Sequence, residues 1–177
     1  GDTIISNAYF PTIIVFVQFQ DSPGFFDWPA PSTNNGKPIF LDSMIGGLGA
    51  YNGQTDWWDA YSQNTQRYSD FWLEVSRGKF HVLGQAFSIV LSGTASSYTN
   101  EYVMNQEIID SLTAQNINWI DYDRWRYDYG DGKFHNQRDG CVDMIYRMMK
   151  QRGDGMSTET GYNAFSSYSD NKKDLQV

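Results

Sequence analysis

Thr12 to Gln20 reads TIIVFVQFQ, β-branched and aromatic, and nearly apolar through its first half. A strand with one wet face alternates apolar and polar residues. One that does not alternate is suited to burial on both faces of a central sheet. Pro11 before it and Asp21-Ser22-Pro23-Gly24 after it are turn-forming punctuation. The fold class this predicts is α/β, a twisted mixed β-sheet with flanking helices.

Working outward, Ser22 to about Gln54 is irregular and holds four of the five prolines. Loops of that length are functional or inserted. Phe25, Phe26, Trp28, Phe40, Leu41, Leu48 and Tyr51 are the residues expected to pin it. Asp56 to Val75 reads as helix, because Trp57, Tyr61, Tyr68, Phe71, Trp72 and Val75 fall near spacings of three and four, and Gly78 closes it. Lys79 to Leu91 follows as two strands or one bent strand, with Gly84 read as a bulge or turn. Ser92 to Asn100 is a polar loop. Glu101 to Ala114 is predicted helical, capped by Asn100, with an apolar stripe of Val103, Met104, Ile108 and Leu112. Asn116 to Gly140 reads as a loop dense in Asp, Tyr, Trp and Gly. Val142 to Met149 fits either a helix or one face of a strand. The whole, residues 1–177, is expected to be a single domain whose residues 155–177 form a poorly ordered tail. There is no internal repeat and no interdomain linker.

With 177 residues, a net charge of -8 and a pI near 4.5, the chain is long enough for one sizeable core. Sixteen per cent of its residues are aromatic, which argues for folding rather than disorder. The negative charge argues against nucleic acid, whose phosphates need Lys and Arg to displace counterions. It also disfavours anionic membranes, and it suits divalent cations or plain solubility. No apolar run approaches the roughly 20 residues of a membrane span, and no signal peptide is visible. The single Cys141 permits no internal disulfide. Asn, Gln, Ser, Thr, Tyr, Trp and Gly outweigh Lys and Glu, which fits an exported bacterial protein. The expected location is secreted or cell-surface.

The acidic loop closes with Asp139-Gly140-Cys141-Val142-Asp143. Asp139 and Asp143, with the Cys141 carbonyl between them, are candidate calcium ligands, joined by Asp123 and Asp131 and also by Asp121 or Asp128. Calcium takes six to eight oxygens at about 2.3–2.6 Å, and Gly140 allows a sharp turn. The competing reading is an acidic turn whose side chains cap backbone amides. The two histidines, His81 and His135, are far apart and form no recognisable zinc spacing. His81 reads as a packed sheet residue and His135 as a solvated loop residue among acids. Cys141 lacks a positioned base and reads as an inert thiol. Trp57, Trp58, Trp28, Phe25 and Phe26 could stack on a sugar, against the reading that they pin the long loop. No catalytic residue is identified.

Three motifs together carry a family resemblance: Phe19-Gln20-Asp21 at the end of the first strand, Ser76-Arg77-Gly78-Lys79-Phe80 at a helix-to-strand turn, and Asp139-Gly140-Cys141-Val142-Asp143 closing an acidic loop. In this order they resemble the early catalytic domain of immune inhibitor A-like secreted zinc metallopeptidases, over roughly Pro11 to Gly155. His135 and Gln137 stand where that family's loop would have Asp. The resemblance implies the N-terminal subdomain of a zincin, which hydrolyses peptide or protein substrates with a zinc-activated water and a Glu base. It implies that the zinc comes from a downstream HExxH segment that is not in this sequence, so the chain alone is expected to be inactive. It also implies a sheet edge that pairs with extended substrate, for which Val142 to Met149 is the candidate. The alternative function is a catalytically inactive extracellular binding or adhesion module, with carbohydrate as one ligand.

Overall fold

Tyr9–Gln18 forms strand β1, the centre of the main sheet. The structure is a computed structural model describing residues 9–48 and 67–151 and the backbone of Phe165–Ser166. Thr12 to Gln18 are all buried, as their missing alternation predicts. The two faces of β1 nevertheless serve different layers. Ile13, Val15 and Val17 enter one core, and Ile14 and Phe16 enter the other. Successive side chains of a strand point to opposite sides, so one apolar run supplies both layers.

Strand β2, His81–Val90, pairs parallel with β1 along its whole length, from Tyr9 opposite His81 to Gln18 opposite Val90. Strand β5, Ile145–Met149, pairs parallel on the other side, with Ile13 opposite Ile145 and Val17 opposite Met149. Strand β6, Phe165–Ser166, adds antiparallel to β5 at Tyr146 and Arg147. The order is therefore β2-β1-β5-β6, a three-stranded parallel sheet with an antiparallel addition. The α/β class and the mixed sheet are as expected. Val142 to Met149 resolves to the strand alternative, because its residues join the open side of β1.

Helix α1, Tyr68–Val75, packs beside β2, and helix α2, Glu101–Ala114, covers the other face. Parallel strands need such crossovers, since a tight turn cannot reverse the chain twice. Asp70 accepts the Arg67 N–H at 3.2 Å at the start of α1. The helix ends in a left-handed turn of Arg77, φ +56°, and Gly78, φ +77°: the Arg77 N–H returns to the Glu74 carbonyl at 3.0 Å and the Gly78 N–H to the Leu73 carbonyl at 2.7 Å, so the stop expected at Gly78 begins one residue earlier, on a non-glycine. Asn100 Oδ1 accepts the Tyr102 N–H at 2.8 Å and caps α2, also as read. The helix predicted from Asp56 to Val75 is not one continuous helix, because Arg67 is extended, with ψ of 155°, and the helix starts at Tyr68; residues 56–66 lie outside the described residues.

Four local expectations are corrected. Gly84 is neither bulge nor turn, because β2 is continuous and Gly84 sits opposite Thr12 in the ladder. Phe71 and Val75 of α1 and Val103 of α2 face solvent, since Ser69, Leu73, Met104, Ile108 and Leu112 take the buried positions. Phe25 and Phe26 do not pin the long loop and are exposed. That work falls to Trp28, Phe40 and Leu41 against the Phe16 core and to Leu48 against the other. Tyr51 lies outside the described residues. Finally, 116–140 is not all loop. It carries a 3-10 turn at Trp119–Tyr122 and a hairpin of β3, Arg126–Asp128, and β4, Lys133–His135. Of the tail expected at 155–177, only β6 is described.

Candidate functional site

The acidic loop lies at the amino-terminal end of the central strands. Trp125 Nε1 donates to the Tyr9 carbonyl at 2.9 Å, and the Arg124 guanidinium stands 4.4 Å over the Tyr9 ring. The Asp143 N–H reaches the Tyr122 carbonyl at 2.8 Å, which closes the loop just before β5.

Three of the candidate ligands come together there. Asp123 is buried and spans the turn, accepting the Asp139 and Gly140 N–H groups at 3.0 Å each through its two oxygens. Asp143 accepts the Arg124 N–H at 2.9 Å and the Trp125 N–H at 3.0 Å. Asp139 accepts the Cys141 N–H at 3.0 Å. Gly140, with φ of +84°, makes the turn that an L side chain resists. These bonds are those of acidic side chains that cap backbone amides. A carboxylate oxygen has a second lone pair, so the same atoms retain acceptor capacity.

The electrostatics are unusual at one member. Burial pushes the Asp143 carboxyl up to about 7, and the charges of Asp123 and Asp139 push the same way, against the two amide bonds it accepts. Asp143 therefore changes charge near neutral pH, where its neighbours oppose its ionised form. A cation would relieve the same repulsion.

Asp131, the fourth candidate carboxylate, lies elsewhere. It sits in the β3–β4 turn, where Oδ1 accepts the Lys133 N–H at 3.0 Å and Oδ2 lies 3.0 Å from His135 Nε2. Among the described residues, the acids and histidine whose ligand atoms all lie within 4.8 Å of one another are Asp128, Asp131 and His135. The loop acids are not gathered that tightly. Asp131, expected beside Asp139 and Asp143, is carried away from them by the hairpin turn. Asp128-x-x-Asp131-x-x-x-His135, bracketing Gly130 and Gly132, was the available signal for this second group. Cys141 is half-buried. Asp121 accepts from Asn118 Nδ2 at 3.0 Å in the 3-10 turn.

His81 is buried in β2, where desolvation lowers its basicity. His81 lies on β2 and His135 on the hairpin, so the two histidines do not join in one zinc site of the two-histidine kind. Among the aromatics weighed for a sugar platform, Trp28 packs edge-on against Phe16 at 5.3 Å, Phe25 and Phe26 are exposed, and Trp57 and Trp58 lie outside the described residues.

The carboxyl ends of the parallel strands are the usual ligand position in an open α/β sheet. Here the long loop fills it. Lys150 Nζ, just past β5, donates to the Trp28 and Pro29 carbonyls at 2.6 Å each and to Gln18 Oε1 at 3.1 Å. Gln18 Nε2 in turn donates to the Gly36 carbonyl at 2.7 Å. No described helix is long and apolar enough to cross a membrane. No family model matches the sequence, and comparisons with curated proteins and with solved structures found no match.

Proposed function

We propose that this chain forms the N-terminal portion of an immune inhibitor A-like, secreted zinc metallopeptidase catalytic domain. In this reading its sheet backs an active-site helix supplied by residues outside the chain. The observation that carries the reading is the element order. A buried strand ending in Phe19-Gln20-Asp21, a helix with the Ser76-Arg77-Gly78-Lys79-Phe80 turn, a second strand, a second helix, an acidic loop and a third strand follow one another as the resemblance implies. The pairing of β6 antiparallel on β5 supports it further, because that edge accepts an extended segment by backbone hydrogen bonds. At Tyr146 and Arg147 that edge already takes two residues of its own chain.

Zinc would supply the activated water of peptide hydrolysis. In this reading its ligands come from the downstream segment, and no step is assigned to the described residues. Their contribution is a rigid sheet and an acidic loop. In the same reading the loop carboxylates Asp123, Asp139 and Asp143, with the Cys141 carbonyl, take calcium. The shared repulsion at Asp143 supports that part.

The test is the gene beyond Val177 and its product. A downstream HExxH segment and casein cleavage abolished by chelator are expected of the longer protein. A product with no such segment and no chelator-sensitive cleavage would overturn the peptidase reading and leave the inactive binding module.

A further inference from the structure

Two aspartates and a histidine meet on the β3–β4 hairpin, and we propose that Asp128, Asp131 and His135 bind a divalent transition-metal ion. This site is distinct from the loop carboxylates and does not rest on the peptidase reading.

The hairpin register places the ligands. Arg126 pairs with His135, Tyr127 with Phe134, and Asp128 with Lys133. Paired residues of an antiparallel ladder share a face, successive residues along a strand change it, and alternate residues share it again. Asp128 and His135 therefore share one face. Tyr127 and Phe134 stack at 5.1 Å on the other, and Phe134 packs edge-on to Phe10 at 6.0 Å, which anchors the hairpin to β1. Asp131 enters from the turn, shaped by Gly132 at φ +71°.

Each carboxylate is held by one oxygen and offers the other. Asp128 Oδ1 accepts the Gly130 N–H at 2.8 Å, and Asp131 Oδ1 accepts the Lys133 N–H at 3.0 Å. The Oδ2 atoms are where the nitrogen partners meet them. Asp131 Oδ2 meets His135 Nε2 at 3.0 Å, and Asp128 Oδ2 meets Arg126 Nη2 at 3.2 Å. Both pairs are close to 40% exposed, so solvent screens them and they are readily exchanged. The ligand atoms lie within 4.8 Å of one another. An ion that holds nitrogen and oxygen at about 2.0–2.2 Å fits among them after a small inward turn of the side chains.

The donor set selects the class of ion. One imidazole with two carboxylates suits zinc, manganese or cobalt, whereas calcium takes oxygen ligands alone and more of them. Binding displaces Arg126 from Asp128 and takes His135 through Nε2, with its proton on Nδ1. Water fills the remaining positions on the solvent side.

The experiment uses the 177-residue chain labelled with nitrogen-15. Added Mn²⁺ is expected to broaden amide signals centred on residues 128–135, and Zn²⁺ to reverse the broadening by competition. In calorimetry with Zn²⁺ one site is expected, weakened about tenfold or more in His135→Gln and again in Asp128→Asn. Amide spectra of both variants, unchanged away from the hairpin, show that folding is intact, and either variant suffices if the other fails to fold. Broadening centred on Asp123, Asp139 and Asp143, no broadening at millimolar Mn²⁺, or an unaltered isotherm in a folded variant would each overturn the site.

Discussion

Replacing Gly84 by Ala should be among the most destabilising single-methyl changes in the protein. An added Cβ at Gly84 would stand 1.6 Å from the Thr12 carbonyl oxygen and 2.7 Å from its carbon. Ordinary van der Waals contact begins near 3.4 Å. The obstacle is backbone, not a side chain that can rotate away, and it belongs to the buried centre of β1. To make room, β1 and β2 must part by more than their hydrogen bonds tolerate, and the Gly84 N–H must also leave the Gly46 carbonyl, now 2.7 Å away. Two or three ladder bonds at about 1 kcal/mol net each, together with overpacking strain of about 1–3 kcal/mol, give a loss of roughly 4 kcal/mol. In a domain of this length that is a fall in Tm of roughly 8–16 °C. Gly47→Ala is the control, because its Cβ meets nothing within 4 Å, and it should stay within about 0.5 kcal/mol of the parent. Thermal melts by circular dichroism read both. A Gly84→Ala protein that melts with the parent would refute the close approach and the β1–β2 register behind it.

Ile14→Asp should abolish soluble folding, since Ile14 is fully buried in the central strand and an unpaired buried charge costs several kcal/mol; soluble yield and Tm check it, and an unchanged Tm would remove β1 from the core. Asp143 should make stability depend on pH. Its folded value of about 7 lies above the ordinary aspartate value of 3.8, so its contribution is fully present below about 3.8 and is lost as pH rises through about 7. Urea midpoints from pH 4 to 8 should fall across that window in the parent and lose this component in Asp143→Asn. Calcium at a hundredfold excess over its dissociation constant should add about 2.7 kcal/mol, a Tm rise of roughly 5–10 °C relative to EDTA, and Asp139→Asn should remove most of it. Identical melts with calcium and with EDTA would leave the loop as an acidic turn that caps its own amides.

The chain's local chemistry legibly encoded its elements. The unalternating run from Thr12 required burial on both faces, and the structure puts Thr12 to Gln18 between two strands and two apolar cores; Pro11, read as a boundary, lies inside the strand opposite Leu83, and Gln20 is exposed beyond its end. Asn100 and Gly78 marked a helix start and the region of a helix end, because a cap needs a short polar side chain and a left-handed turn favours glycine, although Arg77 enters that turn first. Period and capping are properties of a few neighbouring residues, so no distant contact was needed to read them. What only the tertiary structure decided depends on partners far along the chain. Val142 to Met149 suited helix or strand until Ile145 found Ile13 across the sheet. Gly84 looked like a break because glycine frees the backbone, whereas here it admits the Thr12 carbonyl. The five candidate calcium ligands were near in sequence, yet a hairpin carried Asp131 off to His135 and left Asp123, a buried cap, to hold the turn at Asp139 and Gly140. Acidic side chains all look alike in a sequence. Which carboxylates share a proton, an amide or an ion is set by backbone direction across turns, and that direction comes from packing.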